Sequence, residues 1–178
     1  MSKIKLVVLM PTYNRAEGLR ETLEAMCKLD YEDIDVQFII IENGKKDHTQ
    51  QVVEGFKKFL TISYLYEPLA GQYNALNKAI DKVGDSEIVV FTDDDVIPDR
   101  YWLKQISETV RKWPQYSVFG GYINPIWPDD KPPAWFRNGP ERAGFGLGGH
   151  GQDFIDKECV YPPENAPCGA NYWVRKQI

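Results

Sequence analysis

Apolar residues along the chain gather in short runs separated by stripes of helical period. Ile4 to Met10 is a short β-rich run closed by Pro11. It lacks period-two alternation, so it reads as a strand buried on both faces. Leu19, Leu23, Met26 and Cys27 then recur at helical spacing, with Glu17, Arg20, Glu21 and Glu24 turned outward. Val36 to Ile41 repeats the strand signature, Asn43-Gly44 marks a turn, and Val52, Val53, Phe56, Phe59 and Leu60 make a second helical stripe. Ile62 to Tyr66 is a weaker third strand ended by Glu67-Pro68, and Leu76, Ala79, Ile80 and Val83 make a third helix stopped by Gly84. Glu87 to Thr92 is the fourth strand. Asp99 is placed to cap a fourth helix carrying Leu103, Ile106, Val110 and Trp113, with Pro114 beyond its end, and Val118 to Ile123 reads as a fifth strand.

Strands alternating with helices imply crossover connections and a mainly parallel sheet covered on both faces, an α/β fold. Ligands of such sheets bind outside the carboxyl ends of the strands. Here those ends carry Pro11 to Arg15, Glu42-Asn43-Gly44, Glu67, and three consecutive acids, Asp93, Asp94 and Asp95. Close carboxylates repel, so a compact site holding them tends to take up a proton or a cation, and hard oxygen ligands suit Mg²⁺ or Mn²⁺. After Asn124 the pattern changes to Pro125, Trp127, Pro128, Pro132, Pro133 and Trp135, then Gly144, Gly146, Gly148 and Gly149. A segment so rich in aromatics and turn formers is expected to be a binding loop, since Trp127, Trp135 and Phe136 give it apolar surface that a linker does not need. The chain therefore divides into an α/β core at 1–123 and a loop-rich region at 124–178 belonging to the same domain.

At 178 residues the length suits one domain with a substantial core. A net charge of -5, with basic residues scattered, argues against a phosphate-backbone binder and makes nucleic acid an unexpected partner. Cys27, Cys159 and Cys168 lack the short paired spacing of a zinc site or redox dithiol, and Cys27 on its apolar stripe reads as a small buried hydrophobe. No apolar stretch reaches ~18 residues and no cleavable signal precedes the first strand. A reduced, cytoplasmic protein is expected, and a peripheral contact with the inner face of a membrane is compatible with this. His48 reads as solvent-exposed, whereas His150, within Gly148-Gly149-His150-Gly151, is a weaker candidate to meet a metal or diphosphate.

Taken in order, Pro11-Thr12-Tyr13-Asn14-Arg15 after strand one, Glu42-Asn43-Gly44 after strand two, Gly71-Gln72-Tyr73-Asn74-Ala75-Leu76-Asn77 opening helix three, and Thr92-Asp93-Asp94-Asp95 after strand four resemble a family 2 glycosyltransferase with the Rossmann-like GT-A fold. The resemblance covers nearly the whole chain. It implies a nucleotide-diphosphate sugar as donor, a sugar, lipid-linked glycan or protein as acceptor, and Mn²⁺ or Mg²⁺ as cofactor. Asp93 and Asp95 match the ends of the family's Asp-x-Asp motif, so the resemblance gives Asp95 to the metal. It sets Asp93 near the ribose or sharing the metal through water, with Asp94 between them. It also implies donor binding by Pro11, Thr12, Tyr13, Arg15, Glu42, Asn43, Gly71 and Asn77, with Arg15 on phosphate or behind the base pocket. Glu42 occupies the position where the family accepts a hydrogen bond from a uracil-type base edge, which leans the donor toward uridine. Leu76 departs from the family, where a basic residue commonly precedes the Asn, and Lys78 reads as a surface charge. Gly169-Ala170-Asn171 resembles the acceptor-side segment.

An inverting transfer needs a carboxylate to take the acceptor's proton, and the family places it shortly beyond the Gly-Ala-Asn segment. No such acid follows Asn171 before Ile178, and Asp153, Asp156 and Glu164 precede it, so the base is unassigned. The chain is expected to be a C-terminally shortened transferase that binds nucleotide and metal but transfers sugar poorly. A nucleotidyltransferase is the competing enzyme reading, although Pro11 to Arg15 is not a glycine-rich phosphate loop. A binding domain without turnover is the non-enzymatic one.

Overall fold

A computed structural model describes residues 3–124, 126, 127, 131, 158, 160, 167 and 169–176. Among them, in chain order, lie β1 (Ile4–Thr12), α1 (Ala16–Met26), β2 (Ile34–Asn43), α2 (Thr49–Phe56), β3 (Ile62–Glu67), α3 (Gln72–Ile80), β4 (Ile88–Thr92), α4 (Trp102–Lys112), β5 (Val118–Gly120) and β6 (Asn171–Arg175). The six strands form one sheet in the order β3-β2-β1-β4-β6-β5. β1 to β4 are parallel, and β6 runs antiparallel to both β4 and β5. The expected α/β architecture is thus present, and most of the loop-rich segment, including Trp135, Phe136 and His150, lies outside the described residues.

The unbroken apolar runs are explained by the two faces they serve. On one face Leu6, Val8, Met10, Phe38, Ile40, Ile88 and Val90 pack against the apolar stripes of α1, α2 and α4. On the other, Val7, Leu9, Ile39, Ile41, Val89 and Phe91 meet Ala75 and Ala79 of α3. Alternate residues of one strand enter different cores, so neither face can be polar. No helix among the described residues is long and apolar enough to cross a membrane.

Several boundaries differ from the sequence pattern. β1 continues through Pro11 to Thr12, because the β1–β4 ladder has already ended at Leu9–Phe91 and Pro11 faces only Ile41 of β2. α2 stops at Phe56: the amides of Phe59 and Leu60 both turn back to the Phe56 carbonyl, which buries Leu60 and leaves Phe59 in solvent. The inward positions of α3 are Ala75 and Ala79, continued by Val83 in the turn below, whereas Ile80 is exposed. Small side chains let α3 lie close on the sheet, an arrangement a stripe of large residues does not reveal. Asp99 caps a turn one step earlier than expected, accepting from the Tyr101 amide at 2.8 Å, and α4 begins at Trp102.

Candidate functional site

Strand order reverses between β1 and β4, since β2 and β3 lie to one side of β1 and β4 to the other. The loops leaving β1 and β4 diverge at such a point, and folds of this kind place their ligand crevice there. The Tyr13-Asn14-Arg15 turn enters it from β1, with Asn14 in the left-handed region (φ 51°). The acids enter it from β4. Asp94 is buried, Asp93 partly buried and Asp95 exposed. The buried Thr22 hydroxyl of α1 donates to the Asp94 carbonyl at 3.0 Å and anchors the acidic loop from below.

Arg15 spans two of the acids. Its Nη2 donates to Asp95 Oδ2 at 2.9 Å and its Nη1 lies 3.3 Å from Asp94 Oδ1, while half of its side chain stays exposed. Behind this pair the Thr12 hydroxyl lies beside Asp94 without completing a hydrogen bond, so Thr12 Oγ1 and Asp94 Oδ2 are both buried and without a hydrogen-bond partner among the described residues. Burial pushes the Asp93 carboxyl above the usual range, and the Asp95 and Asp94 charges push it further against the pull of Arg15. Burial likewise raises Asp94, opposed by Thr12 and Arg15. The cluster carries more negative charge than one guanidinium satisfies.

On the β2 side the arrangement departs from the expected one. Glu42 is fully buried, its Oε1 accepting the Asp47 amide at 2.7 Å and its Oε2 the Tyr64 hydroxyl. It presents no surface to a base edge and instead fixes the loop into α2. Asp47 extends this loop network, accepting from the amides of Thr49 at 2.7 Å and Ala16 at 3.3 Å. Asn43 is equally committed: its Nδ2 donates to the carbonyls of Leu69 at 2.8 Å and Glu67 at 3.2 Å, and its Oδ1 accepts the Gly71 amide at 2.7 Å. Gly71, at φ 129°, therefore has no free amide for a ligand. Tyr13 remains 56% exposed and lies against Gly44, where a Cβ would come within 3.1 Å of its ring. Asn77 is exposed on α3 without a partner among the described residues. Lys78, read as a surface charge, instead donates to the Tyr66 carbonyl at 2.6 Å and pairs with Glu67 at 3.4 Å.

Gly169-Ala170-Asn171 returns to the acids, because Asn171 pairs with Thr92 across β6 and β4. The Thr92 hydroxyl donates to the Ala170 carbonyl at 3.0 Å. The Asn171 amide is fully used, accepting from Trp102 Nε1 at 2.9 Å and donating to the Tyr122 carbonyl at 3.0 Å. A Cβ at Gly121 would fall 2.2 Å from Asn171 Nδ2, so any larger residue there would displace the Asn171 amide from these bonds. His48 is exposed beside Glu17, at 2.7 Å, away from the acids. Among the described residues no three His, Cys, Asp or Glu side chains are gathered as a ready-made metal cage.

A family model described as glycosyl transferase family 2 matches residues 7–163. The chain belongs to that family. Glycosyltransferase AglE of Haloferax volcanii is 28% identical over 124 residues, 68% of this chain and 40% of AglE. The poly-beta-1,6-N-acetyl-D-glucosamine synthase of Staphylococcus epidermidis is 30% identical over 114 residues, 64% of this chain and 27% of the synthase. Among solved structures, the mannosyltransferase PcManGT from Pyrobaculum calidifontis in complex with GDP-Man and Mn²⁺ superimposes with a TM-score of 0.59 at 24% identity, over 67% of this chain and 35% of that one. S. aureus TarS 1-349 in complex with UDP-GlcNAc gives 0.58 at 21%, over 75% of this chain and 38% of that one. These likenesses carry the GT-A fold. The chain spans less than half the length of the relatives it matches.

Three residues of this candidate site carried weaker signals in the sequence. Thr22 is a polar residue inside the apolar stripe of α1, three after Leu19 and four before Met26, and that placement was a signal. Tyr64 holds Glu42, and period two puts it on the α1–α2 face of β3. Tyr172 stacks on Phe91 at 4.4 Å between centroids, and burial above all, with the nearby Asp93 charge adding to it, pushes its hydroxyl above the ordinary phenol value. Its place immediately after Asn171 was legible. Its stacking across strands was not.

Proposed function

We propose that this chain supplies the donor side of an inverting glycosyl transfer from a nucleotide-diphosphate sugar, a UDP-sugar first, to a glycan, lipid-linked or protein acceptor in cell-envelope polysaccharide synthesis. The observation that carries the reading is the meeting of Arg15, Asp94 and Asp95 where the loops leaving β1 and β4 face each other, with Tyr13 exposed two residues before Arg15 on the same turn. A hydroxyl or carboxylate alone would suit many ligands. A guanidinium placed among oxygen ligands suits a diphosphate and its counter-ion.

The residues fit a divalent ion held with the donor rather than in a protein cage. Asp95 is exposed, the donor set is hard oxygen, and Asp94 Oδ2 is buried with no hydrogen-bond partner among the described residues. Asp95 would hold the ion, with Asp93 beside it, and the bound ion would supply charge that stabilises the departing diphosphate. Tyr13 gives a flat apolar face for the base, and its position is set by Gly44. Glu42 and Asn43 act in this reading as positioning residues, holding the Asp47 loop and the entry to α3. Gly169, Ala170 and Asn171 bring the acceptor side next to Thr92.

Titration calorimetry of UDP and GDP, with Mn²⁺ and with chelator, tests this reading. UDP is expected to bind with Mn²⁺ and to lose at least tenfold in affinity with chelator or in Asp95→Asn. Binding indifferent to both changes would refute it.

A further inference from the structure

Arg15 does more in this structure than wait for a phosphate. The backbone under the acids is fixed, because Thr22 holds the Asp94 carbonyl from the buried side of α1 and β4 ends in a fully paired register with β6. The Arg15 side chain is half exposed and, among the described residues, anchored through its two carboxylate partners, Asp94 and Asp95. It is therefore the element of the cluster that can leave at least cost. Its guanidinium neutralises part of the charge that a divalent ion would neutralise, and it does so on Asp95, the acid most accessible to that ion. Two cations near one carboxylate repel, so each weakens the hold of the other.

We infer that Arg15 is a built-in counter-cation that excludes a free divalent ion from Asp95 until a diphosphate arrives to draw the guanidinium away. This inference rests on the donor-site reading and makes metal and nucleotide uptake one coupled event. A diphosphate offers the guanidinium a bidentate partner of equal or greater charge, so the exchange keeps Arg15 paired while freeing Asp95. The coupling is reciprocal: whatever UDP does for Mn²⁺ affinity, Mn²⁺ does for UDP. Asp94 stays behind as the buried partner that returns Arg15 to its place once the nucleotide leaves. Asp94 Oδ2 and Thr12 Oγ1, buried beside each other and without a completed hydrogen bond among the described residues, leave part of this return position unsatisfied.

The test measures bound Mn²⁺ by loss of the free-ion electron paramagnetic resonance signal, with and without UDP, in the 178-residue chain and in Arg15→Gln and Arg15→Lys. UDP is expected to raise Mn²⁺ affinity at least twentyfold in the unaltered chain. Arg15→Gln is expected to bind Mn²⁺ alone at least fivefold more tightly, with the enhancement by UDP falling below fivefold. Arg15→Lys, which keeps the charge but not the planar fork, is expected to stay within about threefold of the unaltered chain for Mn²⁺ alone, because repulsion between cations depends on charge. An unchanged Mn²⁺ affinity in Arg15→Gln, with UDP enhancement intact in the unaltered chain, overturns the role of Arg15 and leaves the donor site standing. Equal behaviour of the Gln and Lys variants also overturns it, because charge would then not be the cause. If UDP enhances Mn²⁺ binding in none of the three, the donor-site reading fails and this inference with it.

Discussion

Asp94 shows how one residue can serve a site at the expense of the fold. Its carboxyl is raised by burial, with Thr12 and Arg15 pulling the other way, so folding favours its protonated form. The stability this contributes is fully present below the ordinary carboxylate value near ~4 and is lost as pH rises through the raised value in the folded chain. At neutral pH the ionised group therefore weighs against folding. Asp94→Asn is expected to raise the melting temperature at pH 7 and to raise it less at pH 4. Scanning calorimetry at both pH values checks this, and a lower melting temperature at pH 7 would contradict it. The acids were legible in the sequence as a charged strand end. Their unequal burial was not, since three adjacent Asp residues look alike until a strand and a helix choose which one to cover.

The elements show the opposite balance, in which polar residues that looked like ligands hold loops together. Asn43 is the clearest case. Its amide closes three hydrogen bonds between the end of β2, the β3–α3 loop and the entry to α3, at a buried position. Asn43→Ala leaves those backbone groups unpaired and is expected to cost about 2–3 kcal/mol, lowering the melting temperature by roughly 5–10 °C. Donor affinity measured well below the transition is expected to fall only a few fold. A large loss of donor affinity with stability unchanged would make Asn43 a ligand contact instead. Alternating strand and helix signatures gave these elements their order, because apolar period is a local property. The partners of Glu42, Asn43 and Lys78 lie 5 to 28 positions away along the chain, where local pattern has nothing to say. The shift of the α3 stripe has the same origin: alanine is weakly apolar by pattern, yet it is what close packing on the sheet requires.

For the whole molecule, topology brings scattered motifs to one edge of the sheet. The register Thr12–Glu42, Asn43–Glu67 and Thr92–Asn171 brings residues from five strands to a single edge of the sheet. This edge was legible, because parallel strands must all release their loops on the same side. The insertion of β6 between β4 and β5 was not, since a late strand carries no mark of which neighbours it joins. Its consequence is that residues 169–171 stand against the acidic strand end. The account depends on that edge gathering a donor's diphosphate and a divalent ion at Asp95. Anomalous diffraction from crystals grown with UDP and Mn²⁺ measures this directly. The expected result is one manganese peak within coordination distance of an Asp95 carboxylate oxygen and of the UDP diphosphate, with Arg15 turned from Asp95 toward phosphate. A peak elsewhere on the chain, or UDP bound at this edge with Arg15 still paired to Asp95 and no manganese beside it, would contradict the account.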